Sequence, residues 1–351
     1  MTVGLAACQK NGDSSPERKT ASEIKKENQV SDTGIIPQNP EGQEVQGERT
    51  QYPITVTTYG SDGSELATTY EKAPEKVLAV YQGCIETMLA LGLEDHIVGA
   101  AGLDNEVPDA QKSTFSKLNY LDEFTPSLET VTMLEPDMIF SWGSLFGDKT
   151  LGDAENWVEK GTNIYINSNT CPGTDGNKRT LENEYTDILN IGKIFDVQGK
   201  AQTIVSQMKE TIETVKEKSS ASGKEQTVLI LEPVKDSFTN YGADSLGGDM
   251  VTQLGGILAN PDGSVLGKED VISADPDVIF VVYMPYAGDD PEQVKKEQLQ
   301  AVTGEASFQS LKAVREGRVV PVMLSEMYAS ATRTQDGIET FARGLYPEME
   351  E

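Results

Sequence analysis

The chain has one histidine and three cysteines in 351 residues. Zinc sites draw on several His or Cys ligands, and triad hydrolases need a base beside their nucleophile, so most metal-held and acid–base chemistry is excluded. Basic residues are also scarce: 29 Lys and Arg stand against 57 Asp and Glu, a formal net charge of −28. A polyanion of this size repels nucleic acid and anionic headgroups, and no nucleic-acid partner is expected. Long apolar runs are missing too. The longest, around Val278 to Val282, falls far short of the roughly 20 residues of a spanning helix. There is no G-x-S-x-G elbow, no phosphate-binding G-x-x-x-x-G-K-S/T loop and no dinucleotide-binding G-x-G-x-x-G. The lone histidine, His96, follows a helix that should stop at Gly92, where it satisfies carbonyls or the helix dipole. No resident cofactor is expected.

What is present divides the chain. Residues 9–51 are mostly Glu, Lys, Ser, Gln, Asn, Gly and Pro, without apolar period, and cannot bury enough surface to offset their conformational entropy. They read as a disordered tether. Ahead of them, Leu5-Ala6-Ala7-Cys8 resembles the lipobox of bacterial lipoproteins, in which the cysteine becomes the lipidated N-terminus. The charged start and apolar stretch of a secretory signal do not precede it, so residues 1–8 read as the remnant of such a signal.

The folded body begins with a hairpin, Ile54 to Tyr59 and Glu65 to Tyr70 around Ser61-Asp62-Gly63-Ser64. Strand and helix patterns then alternate, which implies α/β layers with largely parallel sheets. Glu129 to Phe140 lies over Glu269 to Phe280 without a gap, at an offset of 140, and each copy reads as short helix, Pro-Asp turn and buried strand. Two similar lobes follow from this repeat. Between them, Ile204, Val205, Met208, Ile212 and Val215 mark one amphipathic helix over Gly199 to Ser219. The expected organisation is an N-terminal lobe over 52–196, a rigid interlobe helix with its exit linker over 197–222, and a C-terminal lobe over 223–351. A ligand cleft should lie between the lobes.

From about Pro74 to Pro347 the chain resembles the substrate-binding lipoproteins of ABC importers for iron–siderophore, haem and cobalamin. The resemblance is carried by Pro74-Glu75-Lys76-Val77, Glu86 to Leu93, Ile97-Val98-Gly99, the two Pro-Asp segments and Val314 to Val319. It implies two lobes with limited closure, a monomer held at the outer face of the cell membrane by lipid on Cys8, and a partner permease with its ATPase. It further implies that Glu129 and Glu269, one per lobe, dock against permease arginines.

In a parallel α/β lobe, ligands sit at the carboxyl ends of strands. On the N-terminal side these ends carry Tyr81, Gln82, Trp142, Ser144 and Phe146, with Asn167 and Ser168 nearby. On the C-terminal side they carry Tyr241, Tyr283, Tyr286, Met327 and Tyr328. So many aromatic residues at one rim point to a large, partly aromatic ligand. With a single histidine, a bare metal ion is a poor fit and a chelate a better one. Arg333, after the last strand, is expected to face the cleft and pair with an anionic ferric chelate, with Lys235, Lys178 and Arg179 as weaker candidates. An iron–siderophore is the first expectation, haem or cobalamin the alternative. A lipid-anchored hydrolase or adhesin is the rival of a different class. Cys84 and Cys171 both follow strands of the first lobe and are either bridged or free thiols.

Overall fold

A computed structural model of the chain describes residues 49–347, apart from residues 61, 148–149, 172–177 and 223–224. Cys8, the signal remnant and the tether up to residue 48 lie outside the described residues.

Alternating burial makes the opening hairpin: β1 (Ile54–Tyr59) and β2 (Glu65–Tyr70) pair antiparallel from Ile54↔Tyr70 to Tyr59↔Glu65. Val56, Thr58, Thr68 and Tyr70 are the buried members. The first sheet is entirely parallel and follows in βα steps. Its elements are β3 (Val77–Val80), α1 (Gln82–Ala90), β4 (Ile97–Ala101), α2 (Asp109–Phe115), α3 (Leu128–Leu134), β5 (Met138–Ser141), α4 (Ala154–Glu159) and β6 (Asn163–Ile166), with strand order β4-β3-β5-β6. All four side chains of β3 and of β5 are buried, as expected of strands covered on both faces.

Helices α5 (Leu181–Ile194) and α6 (Gln198–Ser222) lead out of this lobe. At 1.5 Å per residue, α6 is about 37 Å long. Its expected apolar stripe is real: Val205, Met208, Ile212 and Val215 are buried. It packs against α5 on one side and against the last helix of the chain on the other.

The second sheet is mixed. It contains β7 (Gln226–Val234), β8 (Ser237–Asn240), β9 (Gly256–Leu258), β10 (Val265–Leu266), β11 (Val278–Tyr283) and β12 (Val319–Met323), ordered β10-β8-β7-β11-β12 with β9 also on β7. Strands β9, β7, β11 and β12 run parallel, whereas β8 returns antiparallel to β7. The intervening helices are α7 (Leu246–Gln253), α8 (Lys268–Ala274), α9 (Pro291–Thr303), α10 (Lys312–Arg315) and α11 (Thr334–Leu345). The β7–β8 hairpin runs from Leu231↔Asn240 to Val234↔Ser237, with Pro233 opposite Phe238.

One apolar core runs through both lobes. Val77, Ala79, Phe140, Met208, Val228, Phe280 and Phe341 belong to the same buried cluster. The opposite face of each sheet has its own cluster, Leu78, Ile139 and Trp157 in the first lobe and Leu229, Ile279 and Phe308 in the second. The lobes are therefore joined along one side by a shared core.

The 140-residue repeat is also structural. Helices α3 and α8 each have seven residues and end on a left-handed residue, Glu135 (φ 48°) and Asp275 (φ 36°). Asp137 accepts from the amides of Glu75 (2.8 Å) and Lys76 (2.9 Å), and Asp277 accepts from the amide of Thr227 (2.7 Å). Each aspartate ties its strand to the start of the neighbouring one.

Of the two alternatives for Cys84 and Cys171, the structure has the unbridged one. Cys84 is buried in the core shared by the lobes, whereas Cys171 belongs to the cluster on the other face of the first sheet. The sheet itself keeps the two sulfurs apart. His96 behaves as expected, its Nδ1 donating to the Pro74 carbonyl at 2.7 Å.

Candidate functional site

The chain turns sharply at the end of β3. Tyr81 has φ 87°, a conformation bulky residues rarely adopt, and its amide donates to the Ala101 carbonyl at 2.8 Å. Gly102 beside it has φ +86°, and a Cβ there would lie 3.2 Å from the Tyr81 nitrogen. This tight crossing aims the Tyr81 ring at Trp142, which follows β5; their centroids are 3.8 Å apart. Trp142 also stacks on Tyr328, from the second lobe, at 6.0 Å and 28°. The Arg179 guanidinium lies 4.0 Å from the Tyr328 ring centroid and donates to its hydroxyl at 2.9 Å. Tyr81, Trp142, Tyr328 and Arg179 thus form one continuous stack that crosses between the lobes.

Two phenol–carboxylate pairs flank the stack. The Tyr81 hydroxyl donates to Asp104, and the Tyr241 hydroxyl donates to Glu232 at 2.7 Å. Burial pushes both phenols well above their ordinary range, the paired carboxylates add to this, and Tyr328 contributes to both. Burial likewise raises the Asp104 carboxyl, with the Tyr81 hydrogen bond opposing. Tyr283 is pushed up to about 12, chiefly by burial and then by Glu326 and Glu292. Asn105 reaches across the lobes, its Nδ2 3.7 Å from the Met284 sulfur. Three buried polar atoms here have no hydrogen-bond partner among the described residues: Trp142 Nε1, Arg179 Nε and Asn105 Oδ1.

Several of the residues expected at the ligand lie away from this stack. Phe146 is buried among Leu151 and Trp157, and Met327 is fully buried in the core, so neither reaches a cleft. Gln82 is buried and engaged, donating to Glu86 (2.6 Å) and accepting from the amides of Asp104 (3.0 Å) and Asn105 (3.2 Å). Ser168 is buried on Asp187 (2.6 Å), while Asn167 is buried with neither side-chain polar atom hydrogen-bonded among the described residues. Ser144 is exposed on a single 3-10 turn, and Tyr286 is 58% exposed.

Arg333 is the main correction. It is 8% exposed, and its Nε and NH2 grip the two oxygens of fully buried Glu86 at 2.7 and 2.8 Å. NH2 also donates to the Glu106 carbonyl (2.6 Å) and NH1 to Ser325 (3.2 Å). The guanidinium fastens the lobes together and has no face left for a ligand anion. Arg179, ranked below it, is the cleft guanidinium instead, while Lys178 and Lys235 are exposed. Asp104 and Asn105 were within reach of the strand-end rule, since they follow β4. Glu232 was not, because it lies within a strand whose hairpin the pattern did not reveal.

Glu129 and Glu269 are exposed, each the second residue of its helix, α3 or α8.

Residues 77–322 match the periplasmic binding protein family. The chain belongs to that family. This periplasmic binding protein is 24% identical over 268 residues to the petrobactin-binding protein YclQ of Bacillus subtilis (strain 168), covering 74% of this chain and 78% of that protein. A periplasmic binding protein from Veillonella parvula DSM 2008 superimposes with TM-score 0.78 at 27% identity, over 86% of this chain and 94% of that one. The ABC-type Fe3+-hydroxamate transport system protein from Saccharomonospora viridis DSM 43017 shares the fold with TM-score 0.63 at 22% identity, over 84% and 99%. No helix among the described residues is long and apolar enough to cross a membrane.

Proposed function

We propose that the protein captures an iron–siderophore outside the cytoplasm and hands it to an ABC permease driven by its ATPase. The observation that carries this reading is the aromatic stack lying where the two lobes of a periplasmic binding protein meet, with Arg179 at its end. Binding without catalysis suits the site, whose phenols and carboxylates are paired with each other rather than set around a reacting atom. Lipid on Cys8 would hold the monomer at the membrane. Exposed Glu129 and Glu269, at matching positions of the repeat, would dock on permease arginines.

Tryptophan fluorescence tests the reading directly. Of the two tryptophans, Trp142 is in the stack and Trp157 is in the core. A ferric siderophore should quench saturably, and Trp142→Phe should remove most of the change. Saturable quenching by haem or cobalamin alone would replace the siderophore with that ligand, and no response to any of them would overturn the proposal.

A further inference from the structure

The inference drawn here rests on the function proposed above and concerns which chelates the cleft accepts. Of the two guanidiniums near it, Arg333 is neutralised by Glu86 in a buried two-point pair. Arg179 alone remains, stacked on Tyr328 and donating to its hydroxyl. Against it stand two carboxylates: Asp104, 9% exposed, held by Tyr81, and half-buried Glu232, held by Tyr241. A phenol that donates to a carboxyl group favours its charged form. At the exposed edge, Lys178 precedes Arg179, and Asp244, also exposed, takes the Arg179 amide on its carbonyl at 3.1 Å.

The unpartnered buried atoms describe the ligand's other needs. Arg179 Nε and Trp142 Nε1 are donors seeking oxygen, and Asn105 Oδ1 is an acceptor seeking an N–H.

We propose that the cleft selects neutral or cationic ferric chelates over polyanionic ones, with Asp104 and Glu232 as the selecting residues. Chelate oxygens accept from Arg179 and Trp142, and an amide or ammonium of the chelate donates toward Asn105 and the two carboxylates. A polyanion entering the same place meets two negative charges partly shielded from water, where repulsion is stronger than at an open surface. Hydroxamate chelates with amide or amine arms meet these demands, whereas a tris-catecholate brings acceptors and a high negative charge.

The test titrates the full chain, by Trp142 fluorescence, with ferrioxamine B (cationic), ferrichrome (neutral) and ferric enterobactin (a polyanionic tris-catecholate). The wild type should bind the cationic or neutral chelate at least about tenfold more tightly than the polyanion, with the gap shrinking at high salt. Asp104→Asn and Glu232→Gln each keep an acceptor for their phenol and should narrow that ratio, by raising affinity for the polyanion and lowering it for the cation. Tighter binding of the polyanion by the wild type, or a ratio unmoved by both variants, would overturn charge selection while leaving siderophore capture intact. Failure of all three chelates to bind would overturn the proposed function and this inference with it.

Discussion

The two lobes align without a gap over one stretch and part company in what they bring to the cleft. Helices α3 and α8, their left-handed ends at Glu135 and Asp275, and the aspartates 137 and 277 repeat at a constant offset. The cleft groups do not repeat. The first lobe offers Tyr81 and Trp142 from the ends of parallel strands, and the second offers Tyr241 and Glu232 from an antiparallel hairpin. A repeated scaffold suits a partner with two similar halves. An unrepeated cleft suits a ligand with no such symmetry.

The contact that joins the unlike halves should show the largest effect. Arg333→Ala leaves the fully buried Glu86 carboxylate without its counter-charge. Removing one partner of a buried pair costs about 3–5 kcal/mol. Urea unfolding should show a loss of that size for Arg333→Ala, and a double variant with Glu86→Leu should recover part of it. A loss within the range of a surface substitution, about 0.5 kcal/mol, would mean that the shared apolar core alone holds the lobes.

The like halves offer a second, smaller contrast. Asp137 accepts two backbone amides, whereas Asp277 accepts the Thr227 amide (2.7 Å) and hydroxyl (2.8 Å) and also pairs with Lys312. Net losses run at about 1 kcal/mol for an ordinary hydrogen bond and about 1.5–3 kcal/mol for one to a charged group. Asp277→Ala should therefore cost more than Asp137→Ala in urea unfolding. Equal losses would mean that Lys312 contributes nothing and that the two turns are energetically the same.

The contrast between lobes also decides what could be read in advance. The strands, the opening hairpin, the long helix and the repeat were legible because burial imposes periods of two and 3.6 on the residues that carry them. Val205, Met208, Ile212 and Val215 illustrate this. Tyr81, Trp142 and Tyr328 were expected at the strand ends, and the structure brings their rings together. Arg333 misled because its fate depends on Glu86, 247 residues away, and no local pattern announces a long-range ion pair. Phe146 and Met327 misled because a strand-end residue can turn either into the cleft or back under the lobe. The Cys84–Cys171 pair shows the same limit: sequence placed both near strand ends, but not on which face of the sheet.

Acidity gathers on the interlobe seam, and this gives a pH test of the joint. Glu184, on α5, accepts from the Ala331 amide of the second lobe and from Asn169, each at 2.5 Å. Burial, then Asp187, pushes its carboxyl up to about 8 from 4.5, and burial pushes Asp187 up to about 6 from 3.8. The folded state thus holds these protons more tightly than the unfolded chain does. Their contribution is full below the ordinary carboxylate range and is lost as pH rises toward about 8. Melting temperature should fall steadily between about pH 5 and pH 8, and Glu184→Gln should flatten the decline. A melting temperature that rises across this interval would contradict the assignment.

The smallest effect on the molecule belongs to the pair proposed to dock on the permease. Glu129 and Glu269 are exposed and sit in the first turn of their helices, where a carboxylate is favoured by the helix dipole. Exposed substitutions of this kind shift stability by no more than about 0.5 kcal/mol, and neither glutamate is among the groups that line the aromatic stack. The double variant Glu129→Ala/Glu269→Ala should therefore match the parent in unfolding and in chelate affinity. Docking is another matter, because each glutamate would lose an arginine partner on the permease, an interaction that salt screens. Uptake by cells carrying the double variant should be abolished, and association with the permease in detergent should weaken sharply at low salt. The single variants sharpen the comparison between lobes: a symmetric role predicts similar losses from each. Undiminished uptake by the double variant would remove the docking role, and a loss from only one single variant would show that the repeat is structural on one side and functional on the other.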